Sequence, residues 1–393
     1  MQNSSELLRA YKLAENWLFV EALPFWARSG VDMRSGGFFE KIGQDGIAIT
    51  DVPRRTRVVA RQIYSFAAAG RLGWQGDWRA LVDHGAEALF DHCFVDNGLV
   101  LSTYGAKGTP VNTNYDFYDH AFALFALAEL AAIPDYHEQA NQHAERMLDA
   151  MEERFRHPEA GFVEDLSCRM PLRANPHMHL LEACLAYSKS PGASNRWADC
   201  ADGVVNLAME KFIDHESGAL REFFDYQWNP MSDDSGRLVE PGHQFEWSWL
   251  LNLWNENACD KAVERAATRL CEIGETHGVS SDGLTIDELW DSFTIRTATA
   301  RTWPQTERIK SCVQYAARAG DVEGRLSWEQ KAQAGLEALM RFTETDIPGL
   351  WHDRLDAEAK PILAPSPASS LYHIICAIET CHSYLALQHK LTH

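Results

Sequence analysis

The chain has 393 residues, 46% of them hydrophobic and 23% charged, enough for a well-buried core in one large domain or two ordinary ones. Fifty-six acidic residues against 36 basic ones give a formal net charge of −20, which, with no basic patch, argues against nucleic acid or an anionic membrane as a partner. Nine cysteines, an odd number with no C-x-x-C pair, suggest reduced thiols packed in helices and neither a disulfide framework nor a thiolate zinc site.

Residues 1–10 show no charged segment followed by an apolar one, and no apolar run approaches the roughly 18 residues that a membrane span needs. A cytoplasmic protein is therefore expected. Apolar residues at helical spacing predict twelve helices, near 5–27, 55–72, 77–92, 116–133, 136–155, 175–189, 194–213, 241–257, 259–276, 304–319, 327–344 and 367–389. Capping patterns are expected at Ser4-Ser5-Glu6 and at Ser327-Trp328-Glu329.

Between alternate helices stands a glycine, then a few apolar residues, then an acid or polar group. The glycines are Gly37, Gly98, Gly161, Gly218, Gly283 and Gly349, at intervals of 57 to 66 residues. That period is two helices of about fifteen residues and their loops, so the chain reads as six helical hairpins. The expected fold is all-α: an (α/α)6 barrel, with short β pieces in the loops and an inner ring apolar nearly all round, as 118–133 is. An open solenoid serving as a protein-binding scaffold is the alternative. No Gly/Ser-rich linker interrupts the chain, so residues 1–393 are expected to be one catalytic domain.

Four of the sixteen histidines sit near helix starts or on core-like faces: His120, His179, His243 and His373. Acids accompany them, with Glu182 three residues after His179, Glu246 three after His243, and Glu307 in RTWPQTERIK. Such spacing on a helix lets a carboxylate fix an imidazole tautomer or raise its pKa. Neither H-E-x-x-H, G-x-G-x-x-G, a P-loop nor a G-x-S-x-G elbow is present, so no metal, nucleotide cofactor or nucleophilic serine is expected.

The segments RTRVVAR at 55–61 running into 62–67, NPHMHLLEA at 175–183, EFFDYQWNP at 222–230, PGHQFEW at 241–247, WPQTE at 303–307 and Leu371-Tyr372-His373 resemble the N-acylglucosamine 2-epimerase superfamily, over nearly the whole chain and in the family's order. The resemblance implies an (α/α)6 barrel that acts on a monosaccharide as a 2-epimerase or an aldose–ketose isomerase, either monomeric or dimeric, with no cofactor. It implies Arg61, His179, His243, Glu246, Glu307 and His373 as catalytic residues. Asn175 and Trp303 are expected to line the sugar, with Tyr118, His120, Met178 and Trp247 as further contacts. Trp247 after Glu246 resembles the mannose isomerase branch, which favours D-mannose to D-fructose isomerisation over 2-epimerisation of glucose, cellobiose or N-acylglucosamine. A glycoside hydrolase using Glu246 and Glu307 as its carboxylate pair is the remaining enzymatic alternative. Arg57 and Arg173 are expected to be solvated or salt-bridged surface residues rather than to meet an anionic substituent.

Overall fold

In the computed structural model, which describes residues 2–105, 108–190 and 194–388 and side chains from Glu6 onward, every expected helix forms, the first in two pieces. The helices are α1 (Gln2–Trp17), α2 (Leu23–Ser29), α3 (Thr56–Arg71), α4 (Trp78–Ala88), α5 (Phe117–Ala131), α6 (His137–Arg154), α7 (Ala174–Ser188), α8 (Asn195–Leu207), α9 (Pro241–Ala258), α10 (Lys261–His277), α11 (Thr302–Arg318), α12 (Val322–Arg341) and α13 (Ser370–Leu387). Widened π turns interrupt or end three of the outer segments, at Leu18–Ala22, Leu89–Cys93 and Ala208–Phe212.

Aspartates set several of the starts. Asp116, Asp260 and Asp321 each accept a first-turn backbone N–H, of Tyr118, Ala262 and Gly324. The start expected at Ser327-Trp328-Glu329 is thereby corrected: those residues lie inside α12, because Asp321 upstream caps it at 2.7 Å. Ser4 and Ser5 likewise fall within α1, which already runs from Gln2.

Helices α3, α5, α7, α9, α11 and α13 form an inner ring, each packed on the next, and α13 against α3 closes it. The outer helices α4, α6, α8, α10 and α12 pack on their inner partners, and α1 packs on α12 and α13. Burial follows the layer: α5 is buried on nearly all sides, whereas α10 buries one stripe through Val263, Ala267, Leu270 and Gly274. One apolar cluster extends from Leu7 to Leu385. No described helix is long and apolar enough to cross a membrane.

Each of the six repeat glycines has a positive φ, between 69° and 91°. Single bridges across such turns, Val31 with Phe38 and Phe94 with Val100 for example, are the short β pieces. Antiparallel pairs also tie neighbouring hairpins together, and Lys41–Ile42 with Ser366–Pro367 joins the first to the last. Gly349, at φ +91°, is doubly constrained, since a Cβ there would stand 2.5 Å from the Glu21 carbonyl oxygen; Gly283, at φ +83°, has nothing within 4 Å. Gly283→Ala is expected to lose about 1 kcal/mol of stability in urea unfolding and Gly349→Ala at least about twice that. Equal losses would contradict the packing described for Gly349.

Candidate active site

The six inner helices run in the same direction, and their N-terminal ends converge on a cavity of about 420 Å³. It is lined by Arg61 of α3, Tyr118 of α5, Asn175 and His179 of α7, His243 and Glu246 of α9, Trp303 of α11, and Ser370 and His373 of α13. Arg55, Glu240, Arg301, Asp353 and Arg354 surround the mouth from the loops. The positive ends of the helix dipoles therefore favour negative charge here.

Two of the histidines are held in the same manner but in opposite electrostatic settings. His243 Nδ1 donates to Glu222 Oε2 at 2.8 Å, and His373 Nδ1 donates to Glu307 Oε1 at 2.9 Å, so each ring turns its Nε2 away from its carboxylate. Burial alone would lower His243, but the charges of Glu222 and Glu240 outweigh it and lift the imidazole to about 9. Burial also acts on His373, and there Arg61 and Lys310 add to it, pushing that imidazole well below its ordinary value. These opposite directions favour a cationic His243 beside a neutral His373 at neutral pH.

Asn175 faces the Nε2 of His243. Its amide lies 3.1 Å from His243 Nε2, while its Oδ1 is buried without a partner. A protonated Nε2 needs an acceptor, and turning the amide by half a revolution supplies one and satisfies that oxygen.

Trp303 lies against both rings, with centroids 4.9 Å from His243 and 5.8 Å from His373. Arg61 reaches the cavity through an aromatic sleeve, its guanidinium 4.1 Å over Phe122 and 5.5 Å over Tyr372, and donates to Tyr118 Oη at 2.9 Å. Among the described residues no carboxylate lies within 4 Å of it, unlike the paired arginines at the mouth. An unpaired cation on the wall of a cavity is preorganised for an anion.

Behind the histidines stand three buried carboxylates, Glu182, Glu246 and Glu307, with Lys310 beside them. Glu182 accepts from His179 Nδ1 at 3.2 Å and from the Tyr372 hydroxyl. Burial and the charge of Glu307 push Glu246 well above the carboxylate range, toward its neutral form. Three sets of side chains bring potential metal-ligand atoms within 4.8 Å of one another: His179 with Glu182 and Glu246, Glu222 with Glu240 and His243, and Glu246 with Glu307 and His373. In every set the imidazole Nδ1 is already committed to a carboxylate.

The cavity thus gathers Arg61, Tyr118, Asn175, His179, His243, Glu246, Trp303 and His373, while Glu307 lies directly behind His373. Three expected contacts lie elsewhere. His120 is fully buried, its Nε2 accepting from Val100 N–H at 3.1 Å and its Nδ1 donating to the Asp116 carbonyl, so both nitrogens serve the backbone. Met178 is fully buried in the apolar core and does not line the cavity. Trp247, on the far side of α9, packs edge-on against Phe212 at 6.0 Å and cannot stack on a sugar. The pairing expected between His243 and Glu246 is corrected as well, since Glu222 takes Nδ1 of His243. Arg57 forks onto Asp119, with Nε and Nη2 at 2.8 and 2.9 Å, and Arg173 is held by Glu164, so both are salt-bridged.

Glu222, Lys310 and Tyr372 are absent from the sequence reading of the site. Glu222 had a signal in the repeat register: the acid closing the glycine-led element binds the residue before the next inner helix, as Glu40 binds Arg55, Glu164 binds Arg173 and Asp287 binds Arg301. Before α9 that residue is Glu240, so Glu222 is free to take His243.

A sequence profile of the N-acylglucosamine 2-epimerase (GlcNAc 2-epimerase) family matches residues 37–377. The chain belongs to that family. It is 43% identical over 375 residues to a mannose-6-phosphate isomerase of Rhizobium meliloti (strain 1021), covering 94% of this chain and 96% of that one. A cellobiose 2-epimerase of Bacteroides fragilis is 27% identical over 263 residues, 60% of this chain and 63% of its own. The crystal structure of a D-mannose isomerase superposes with a TM-score of 0.82 at 18% identity, over 97% of both chains, a likeness of fold. This family member is therefore a sugar isomerase or epimerase built as a helical barrel.

The ion pair of His243 is also a stability device. Its folded pKa of about 9 lies above the unfolded value of about 6.5, so its contribution is complete below about 6.5 and disappears as pH rises through 9. Wild type is expected to lose up to about 3 kcal/mol over that window from this group, and Glu222→Gln to lose much less. Urea unfolding at pH 6 and pH 9.5 reads the difference, and identical losses would contradict the pairing.

Proposed function

We propose that the chain is an aldose–ketose isomerase that interconverts D-mannose, or a close relative, and D-fructose by proton transfer between two histidines through a cis-enediol. The observation that carries this reading is the pair of buried imidazoles on one tryptophan, each with its Nδ1 on a carboxylate and its Nε2 free of it, beside an arginine that has no carboxylate partner among the described residues. Enolisation needs just such a matched acid and base. The likeness to a mannose-6-phosphate isomerase along almost the whole chain supports isomerisation.

His373 Nε2, neutral, takes the proton from C2 of the open-chain aldose. The electron pair moves toward the C1 carbonyl, whose oxygen receives the proton of the His243 imidazolium, and an enediol results. Arg61 stabilises the negative charge on the oxygens as it develops. His243, now neutral, then takes the O2 proton as the C2 carbonyl forms, while His373 returns its proton to C1. Both histidines end as they began. His179, fixed by Glu182 and lowered by burial to about 4, stays neutral and holds sugar hydroxyls or assists ring opening. Asn175, Tyr118 and Trp303 line the sugar, and Glu222 and Glu307 orient and polarise the two histidines.

Epimerisation is the second reading, favoured by the likeness to a cellobiose 2-epimerase. It requires His243 to keep its proton through enolisation, with Arg61 carrying the enediolate charge, and to donate it to C2 from the opposite face; His373 is then left protonated and His243 neutral, and proton exchange with solvent resets the pair.

Proton NMR of chelator-treated protein with D-mannose, and separately with mannose 6-phosphate, in D2O is expected to show the ketose, with deuterium at C1 in the fraction of turnovers in which the His373 proton exchanges with solvent before its return. An aldose epimer appearing first would move the assignment to 2-epimerase, and loss of turnover on chelation with recovery on adding a divalent ion would overturn the two-histidine scheme. His243→Ala and His373→Ala are each expected to lower kcat by about 100-fold or more, and Arg61→Ala to lower kcat and kcat/KM together. Near wild-type turnover in either histidine variant, or a change confined to KM for Arg61→Ala, would contradict the assigned roles.

A further inference from the structure

Lys310, which that proton relay does not use, has no exposed side-chain surface, yet carries an ammonium group at the back of the site. Its Nζ lies 2.6 Å from Glu307 Oε2 and 3.9 Å from the centre of the Trp249 ring. The contact with Glu307 is close but poorly aligned for a hydrogen bond, so it acts mainly as charge against charge. Around this group three helices bring buried carboxylates: Glu182 from α7, Glu246 from α9 and Glu307 from α11. Each leaves one oxygen with no hydrogen-bond partner, Oε1 of Glu182, Oε1 of Glu246 and Oε2 of Glu307. A lysine is kept this deep only where anions hold it, and anions are kept this deep only where a cation answers them.

We propose that Lys310 is a positioning residue whose buried ammonium, against Glu307, balances the negative charge of the carboxylate cluster behind His373 and thereby keeps the free nitrogen of His373 available as a base. The proposal rests on the two-histidine reading for its consequence in catalysis, and on the geometry for the charge balance itself. The other titratable and charged groups facing this cluster are His179 on α7, His243 on α9, Arg61 on α3, and Tyr372, His373 and Cys376 on α13. Burial alone would lower Lys310, but Cys376, Glu307, Glu246 and Glu182 outweigh it and hold it above its ordinary value. Lys310 also helps to push His373 down and Glu182 down, so its charge acts on both a base and its neighbours.

Without the ammonium the cluster gains one uncompensated negative charge in a dry interior and takes up a proton near neutral pH. The sites are coupled, so the proton belongs to the pair of Glu307 and His373 rather than to one of them. On the carboxylate it removes the acceptor that fixes the imidazole tautomer; on the imidazole it removes the base. Either way, proton abstraction is lost over the pH range in which the cluster is protonated.

The test compares the pH profile of kcat/KM for D-mannose in wild type, Lys310→Met and Lys310→Arg. In Lys310→Met the acidic limb is expected to move upward by roughly one pH unit or more, so that activity on that limb falls by about tenfold for each unit moved, whereas Lys310→Arg, which keeps the charge, retains the wild-type limb. A Lys310→Met limb that stays in place, whatever the change in melting temperature, would overturn the proposal. Should Lys310→Met fail to fold, Lys310→Met/Glu182→Gln, which removes the cation together with a carboxylate that its charge lowers, is expected to recover a folded protein with its limb near that of wild type; failure to recover it would count equally against the idea. If wild type turns over no sugar, the functional reading fails separately. Lys310 is then judged by unfolding: Lys310→Met must lose stability relative to wild type as pH rises from 5 to 8, because its folded state holds an extra proton, and parallel curves would sink the proposal.

Discussion

Each site histidine donates an Nδ1–H hydrogen bond to a buried carboxylate, and the rest of the site follows from that constraint. Glu222 fixes His243, Glu307 fixes His373 and Glu182 fixes His179. Once Nδ1 is committed, the tautomer and ring orientation are set and only Nε2 remains for a substrate. What separates the proposed acid from the proposed base is the surroundings: two carboxylates, Glu222 and Glu240, raise His243, whereas Arg61 and Lys310 keep His373 low. One fold thereby holds both protonation states at a single pH.

The barrel makes this possible by repetition and then by exception. Four inner helices carry an equivalent clamp, His120, His177, Gln244 or Gln305, that accepts a backbone N–H from the glycine-led loop and donates to the carbonyl four residues back. Acids at the ends of three loops anchor the arginines preceding the next inner helix. These contacts hold the N-terminal ends of the inner ring at one mouth. The fourth loop departs from the pattern, and its acid, Glu222, supports a site histidine instead. The same register that builds the frame has been diverted to chemistry at one position.

Much of this was legible in the sequence. Six glycines at a period near sixty residues, together with all-round apolar helices such as α5, identify the closed double ring, because an inner helix has no solvent face. The residue types of the site were legible from the family motifs, and eight of the expected side chains share one cavity. Pairing was less so. Spacing along α9 suggested His243 with Glu246, but a partner from the preceding loop, Glu222, lies closer in space than any neighbour on the helix provides. His120 looks like His179 in sequence, each near the start of an inner helix, and only their rotation about the helix axis separates a backbone clamp from a cavity residue. Lys310 carries no sequence signal, since a lysine three residues after a glutamate on a helix is ordinarily a solvated salt bridge; its burial comes from ring closure.

The central claim is that His243 and His373 rest in opposite protonation states. Nitrogen-15 NMR of histidine-labelled protein at pH 7, with His243→Asn and His373→Asn to assign the signals, tests it directly. The account predicts His243 as an imidazolium with both nitrogens protonated and His373 as a neutral ring protonated at Nδ1. Two neutral rings, or two cations, would contradict it.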